Sequence, residues 1–150
     1  MTDNNNAAGA TTPAMNAFFT RGVANEGVQL PLYLPTGEKS EHWVRVLGVD
    51  SDAFRAAEAE SKRDAFRIAG IESREERAAE IAKSKRRLIA SLVCAWSFPQ
   101  ECTADAVDAF FQEAPQIMDA IDLAASKRAL FFVGRSNSSQ PSPSTSSGST

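Results

Sequence analysis

A chain of 150 residues with a formal net charge of −3 and a pI near 5.2 is one domain's worth of sequence, and an acidic one. That balance excludes the net basic surface that a nucleic-acid-binding domain presents. Two cysteines, Cys94 and Cys102, and a single histidine, His42, exclude a disulfide scaffold and a four-ligand structural zinc site.

The two ends differ from the middle. The chain opens on MTDNNNAAGATTPAMN and closes on GRSNSSQPSPSTSSGST, with no apolar residue after Val133. Segments so poor in large apolar side chains bury too little surface to offset the entropy of ordering them. The expected organisation is a flexible N-terminal segment over 1–27, one folded domain over 28–133 and a disordered Ser/Pro/Thr-rich tail over 134–150. No basic region followed by an apolar run marks a signal peptide at the start. The longest apolar stretch, from Leu88 to Phe98, is interrupted by serines and falls short of the ~20 residues a membrane span needs. A reducing cytoplasm and no membrane partner are the expectations.

Within the domain, Val28, Leu30, Leu32 and Leu34 alternate with Gln29, Pro31 and Tyr33. PTGE at 35–38 then supplies turn chemistry, and HWVRVLGV follows as a second β-like run. This predicts a two-stranded hairpin. Pro31 suits an edge strand, because it has no amide to give to a ladder. A lone hairpin is marginal in water and has to lean on helices or on a partner's strand.

Helical text begins at residue 50. Asp50 or Ser51 is placed to cap a helix that Gly70 ends, with Phe54, Ala57, Ala65 and Ile68 as a thin apolar stripe. Ser73 and Glu76 form a capping box for the next helix, whose stripe of Ile81, Lys85, Leu88, Leu92 and Trp96 predicts that it runs to Trp96. Lys85 interrupts that stripe, so the buried half is the C-terminal one. Pro99 is expected to end the helix. Thr103 then caps a short helix with Val107, Phe110, Phe111 and Ala114 on one face. Pro115 opens a last helix, with Ile117, Ile121, Ala124 and Ala125 on one side and Gly134 as its stop. The fold class is mainly α with a small N-terminal β-hairpin (α+β), with about four helices.

Chemistry finds little purchase in these residues. His42 has no nucleophile and orienting group beside it in sequence, and reads as an ordinary strand residue. Cys94 reads as a buried thiol on a helix face and Cys102 as a loop thiol. There is no G-x-G-x-x-G and no G-K-[ST], and the carboxylates alternate with Lys and Arg as solvated faces do. No catalytic residue, cofactor or metal is expected. The basic run KSKRR at 83–87 follows Glu75, Glu76 and Glu80, which suits the helix dipole and lets Glu80 pair with Lys83. Trp96, Phe98, Phe110, Phe111, Phe131 and Phe132 carry large burial energies and belong mainly to the core. In so small a domain some of them are left for the surface, where a contiguous patch marks a protein-binding site. The candidate partner-binding residues are therefore Trp96, Phe110, Phe111, Met118, Ile121, Phe131 and Phe132.

The order of these motifs carries a resemblance. GVDSDAFRAA, a charged helix, AWSFPQECTADAVDAFFQEAPQIMDAID and a closing RALFF are similar to the tail assembly chaperones of long-tailed (siphovirus-type) bacteriophages. The similarity runs from Trp43 to about Phe132. It rests on a Trp closing one helix, a short loop, Thr at the next N-cap, an aromatic pair and Pro-x-Ile opening the last helix. Relatives often carry an acidic residue and an asparagine after that cap, where this chain has Ala104, Asp105 and Ala106. The resemblance implies a non-enzymatic protein that acts in the host cell cytoplasm. It implies binding to the long, aggregation-prone tape-measure protein, recruitment of the tail-tube protein, and absence from the finished virion. It also leaves room for a homo-oligomer and for a longer frameshifted form. The alternative is a structural tail or head–tail component that stays in the particle.

Overall fold

In the computed structural model, which describes residues 12–132, Val28–Tyr33 (β1) pairs antiparallel with Lys39–Val46 (β2). Alternation sorts the strand: Leu30 and Leu32 pack on the core while Gln29, Pro31 and Tyr33 stay exposed. Leu34 falls past the strand end, in the turn, and is 49% exposed. The Gly37 amide donates to the Leu34 carbonyl at 2.8 Å, and Gly37 adopts φ 90°, which costs a residue without Cβ little. Pro31 lies opposite Trp43, whose N–H and C=O both engage Ser97 on the other side. The donor that Pro31 lacks thus faces the open edge of β1, as the sequence suggested.

The hairpin acquires a third strand that the sequence reading had placed in a helix. Val93–Trp96 (β3) pairs antiparallel with β2, giving a sheet of order β1-β2-β3. The helix over Arg74–Ala90 (α3) stops at Ser91, whose hydroxyl bonds back to the Leu88 carbonyl. The Leu47 amide then takes the Leu92 carbonyl at 2.7 Å and draws the chain into the sheet. The outer backbone groups of β2 need partners, and a β-branched and aromatic run supplies them better than one more helical turn. Pro99 therefore follows a strand and terminates no helix. Cys94 is exposed on β3 instead of buried on a helix face.

The helical expectations hold elsewhere with local revisions. Ser51 caps Asp52–Ala69 (α2), its fully buried Oγ accepting from the Phe54 amide at 3.3 Å. Ser73 Oγ accepts from the Glu76 amide at 3.2 Å, and Thr103 Oγ1 from the Ala106 amide at 3.1 Å at the start of Ala104–Glu113 (α4). The last helix, Pro115–Ser126 (α5), ends earlier than its periodicity suggested. Lys127 leaves helical geometry, and a 3-10 turn at Arg128–Phe131 sends the Phe131 ring into the interior. Glu80 pairs with Arg67 of α2 at 2.9 Å, whereas the sequence suggested Lys83. Arg21–Glu26 (α1) is a helix inside the segment expected to be flexible, and its Ala24 is 1% exposed. The expectation for 134–150, and the Gly134 stop, lie outside the described residues. Among those described, the fold is α+β: five α-helices and one three-stranded antiparallel sheet.

One face of the sheet, through Leu32, Val44 and Val46, packs against Ile89 of α3 and Leu92 just after it, Val107 and Phe111 of α4, and Ile121 and Ala125 of α5. The half-buried Arg86–Asp108 pair, at 3.1 Å, ties α3 to α4. Residues 47–51, between β2 and α2, join the remaining parts. Gly48 N–H donates to the Ala24 carbonyl at 3.1 Å and Val49 N–H to the Ala125 carbonyl at 3.4 Å. Asp50 accepts from Thr20 at 3.0 Å, from Arg55 at 3.1 Å, and from Arg128 in a two-point contact at 2.9 and 3.1 Å. The Arg128 contact first, helped by Thr20 and Arg55 and opposed by partial burial, holds the Asp50 carboxyl below its ordinary value.

Two stability predictions test this junction. A Cβ at Gly48 would lie 2.9 Å from the Ala24 Cβ and 3.2 Å from the Phe131 ring. Gly48→Ala is thus expected to cost about 1–3 kcal/mol in urea denaturation by overpacking, and an unchanged midpoint would contradict the close approach. Asp50→Asn is expected to cost about 1–2 kcal/mol at pH 7, discounted for the solvent around Arg128. Because the folded-state pKa of Asp50 is depressed, its contribution is complete above about pH 4 and fades as pH falls through the folded value. The wild-type and variant stability curves should therefore converge in acid; a gap that persists at low pH would assign the loss to another cause.

Candidate partner-binding surface

The structure distributes the sequence-nominated residues over separate places. Phe111 is 1%, Ile121 2% and Phe131 2% exposed, so these belong to the core and offer a partner nothing in this state. Trp96 and Phe110 meet in an aromatic cluster at the end of β3. Phe98 packs edge-on to both, at 5.3 and 5.4 Å between centroids, and Trp96 meets Phe110 at 6.0 Å. His42 lies over Phe98 at 4.5 Å, with Nδ1 3.0 Å from Ser97 Oγ. The Trp96 indole N–H donates to the Gln100 carbonyl at 2.7 Å. Edge-to-face rings with a satisfied indole are a packing arrangement, and the half-buried cluster closes the open end of α4.

Met118 packs half-buried against the core from α5, beside an apolar groove that Ile117, Ala120 and Ile121 share with Leu30, Leu32 and Leu34. Phe132, 46% exposed, belongs to a third place, where it shares a concavity with Phe18, Phe19 and Arg128. Phe18 and Phe19 were missed because they sit in polar sequence with no period to flag them. The nominated residues thus do not form one surface.

A fourth place emerges on the helical hairpin made by α2 and α3. The two helices pack on each other in contacts that include Ser61 Oγ to Ser84 Oγ at 3.3 Å. At the tip, Arg77 donates to the Ile71 carbonyl at 3.0 and 2.7 Å and secures the connection. One side of the hairpin is polar and carries both signs of charge, with Glu60 and Asp64 among Arg63, Arg67 and Arg87. There Arg67 binds Asp64 at 2.7 Å and Glu80 at 2.9 Å, which holds the Asp64 carboxyl below its ordinary value and raises the Arg67 guanidinium. The other side is an open groove of about 450 Å³ floored by Ala65, Ile68, Ala69, Ile81 and Leu88, with Arg77 and Lys85 beside it. Ile81 is 55% exposed there. The signal was present in the sequence: Ile81, Lys85 and Leu88 are the upper half of the stripe whose lower half is buried.

Among the described residues, groups that could carry reactive chemistry form no comparable assembly. Desolvation pushes both cysteine thiols above their ordinary value, with nearby Cys94 adding to the effect at Cys102, so neither is an activated thiolate. Among the described residues no group of three or more His, Cys, Asp or Glu could hold a metal ion. Nor is any helix among them long and apolar enough to cross a membrane.

Separating core from surface gives a direct test. Phe111→Ala is expected to cost about 3–5 kcal/mol in urea denaturation, while Phe132→Ala should change stability by no more than about 0.5 kcal/mol. Equal costs would overturn the division drawn here. Compared with known proteins, the chain matches no protein-family model, no curated protein and no solved structure.

Proposed function

We propose that this chain is a tail assembly chaperone of a long-tailed bacteriophage. It binds the tape-measure protein, keeps it soluble in the host cytoplasm and helps bring tail-tube subunits to it. The observation that carries the reading is the open apolar groove on the α2–α3 hairpin, with Ile81 more than half exposed. A surface of this kind suits an amphipathic helix laid into a groove, the recognition mode a rod-like helical client requires. The order of motifs from Trp43 to about Phe132 supports the same reading independently.

Holding such a client needs apolar surface that can be occupied and later vacated, and no covalent step. The hairpin fits that need because part of its apolar side is uncovered. Ile81 is exposed and Leu88 only partly buried against the core, so a client can reach them without opening the core. Docking then replaces water over the groove, at a gain of roughly 25 cal/mol per Å² of apolar surface covered.

Co-expression with the tape-measure protein of the same phage is the test. The client is expected to move from the pellet to the soluble fraction and to co-purify with this chain. No change in its solubility would remove the main support of the reading. Mass spectrometry of purified virions should find the chain missing, and its presence in stoichiometric amount would favour a structural component instead.

A further inference from the structure

The groove's charge specifies its occupant more narrowly than its apolarity does. Arg77 and Lys85 lie beside the apolar floor of Ala65, Ile68, Ile81 and Leu88, and no carboxylate lines the groove among the described residues. Neither cation makes an ion pair within the described chain: Arg77 spends its hydrogen bonds on backbone carbonyls. The opposite side of the same hairpin mixes both signs, with Glu60 and Asp64 among Arg63, Arg67 and Arg87, and Arg67 there pairs with Asp64 and Glu80. Of the two sides, the apolar one is lined by cations without a carboxylate among the described residues.

We infer that this groove takes an amphipathic helix of another protein, one whose apolar ridge is flanked by carboxylates. The inference rests on the client-holding reading above and gives that client's docking segment its chemistry. From Arg77 to Leu88 the groove runs about 17 Å along α3, some three turns of a docked helix. Residues 1–11 and 133–150 do not supply this occupant. Residues 1–11 hold one carboxylate and no large apolar side chain beyond Met1, and residues 133–150 hold no carboxylate at all. The acidic helices α4 and α5 of a second copy bury their apolar sides in their own core, through Val107, Phe111, Ile121 and Ala125, and the exposed Leu123 of α5 is a single side chain, short of a ridge. Opposed charges on the partner would add orientation and speed of encounter to the affinity that the ridge supplies.

Two synthetic peptides of about 18 residues test this, a length that covers the groove as a helix. Both carry the same leucine ridge at i, i+4, i+7 and i+11; one is flanked by glutamate, the other by lysine. The glutamate peptide is expected to bind the full chain, to shift the amide resonances of Ala65, Ile81, Ser84 and Leu88, and to weaken as salt is added. The lysine peptide should bind at least about tenfold more weakly, and Lys85→Glu should narrow or invert that ratio. Ile81→Asp, at an exposed position, should abolish binding with the circular dichroism spectrum unchanged.

Absence of glutamate-peptide binding, equal binding of the two peptides, or shifts confined to the aromatic cluster would each overturn the inference. So would a dimer in light scattering that Ile81→Asp dissociates, because a second copy would then cover the groove. The two readings fail separately. A client kept soluble equally well by wild type and by the Ile81→Asp, Lys85→Glu double variant overturns the groove and spares the chaperone reading. Glutamate-peptide binding at the groove without client solubilisation supports the groove and overturns the chaperone reading.

Discussion

The fold turns on five residues that are neither strand nor helix. The run Leu47-Gly48-Val49-Asp50-Ser51 leaves β2, closes the sheet against the end of α3 through Leu92, and meets α1 through Ala24 and α5 through Ala125. It then collects Thr20, Arg55 and Arg128 on one carboxylate and caps α2. Each of these contacts is modest. Together they connect elements up to 78 positions apart in sequence across a single short segment. Ser51 and Gly48 show why the segment tolerates so little change. One is a fully buried hydroxyl whose only outlet is the cap, and the other has no room for a methyl group between Ala24 and Phe131.

That junction also explains how a small domain can keep apolar surface open without losing its core. The core is completed by β2, β3, the C-terminal part of α3, α4 and α5, all gathered at one end of the α2–α3 hairpin. The rest of the hairpin contributes little to it beyond Phe54 at the base. Ile81 can therefore face solvent, because the core is completed elsewhere. Local structure far from the densest packing is where opening and rearrangement cost least. A docking groove placed there is coupled only weakly to global folding.

Much of this was legible in the residues. N-caps at Ser51, Ser73 and Thr103, the hairpin alternation and the faces of α4 and α5 are local signals, and the structure uses them. What escaped was decided by tertiary pairing. Val93 to Trp96 continue a helical stripe by spacing, yet the open side of β2 claims them, and spacing carries no record of an unpaired strand. Phe131 likewise leaves the expected helix because the space under Gly48 is filled only from a new direction. The aromatic residues nominated as a site illustrate the same limit. Residue type marked them as worth burying, but three-dimensional contacts decided which were buried: Phe111 and Phe131 inside, Trp96 and Phe110 half-covered in a ring cluster, Phe132 outside.

The distribution of charge links the fold to its proposed use. The chain is acidic overall, yet its cations are concentrated on α3, while α4 and α5 carry Asp105, Asp108, Glu113, Asp119 and Asp122 with no Lys or Arg between Ala104 and Ser126. Along α3 itself the early carboxylates and late cations follow the helix dipole, so part of this ordering has a local cause. The dipole, however, does not account for Arg77 and Lys85 standing on the groove side without carboxylates while Arg67, across the hairpin, has two. An approaching acidic helix is repelled by α4 and α5 and attracted by this side of α3. In the docking proposed above, the net charge would keep such a partner away from most of the molecule and the local charge would admit it at the groove.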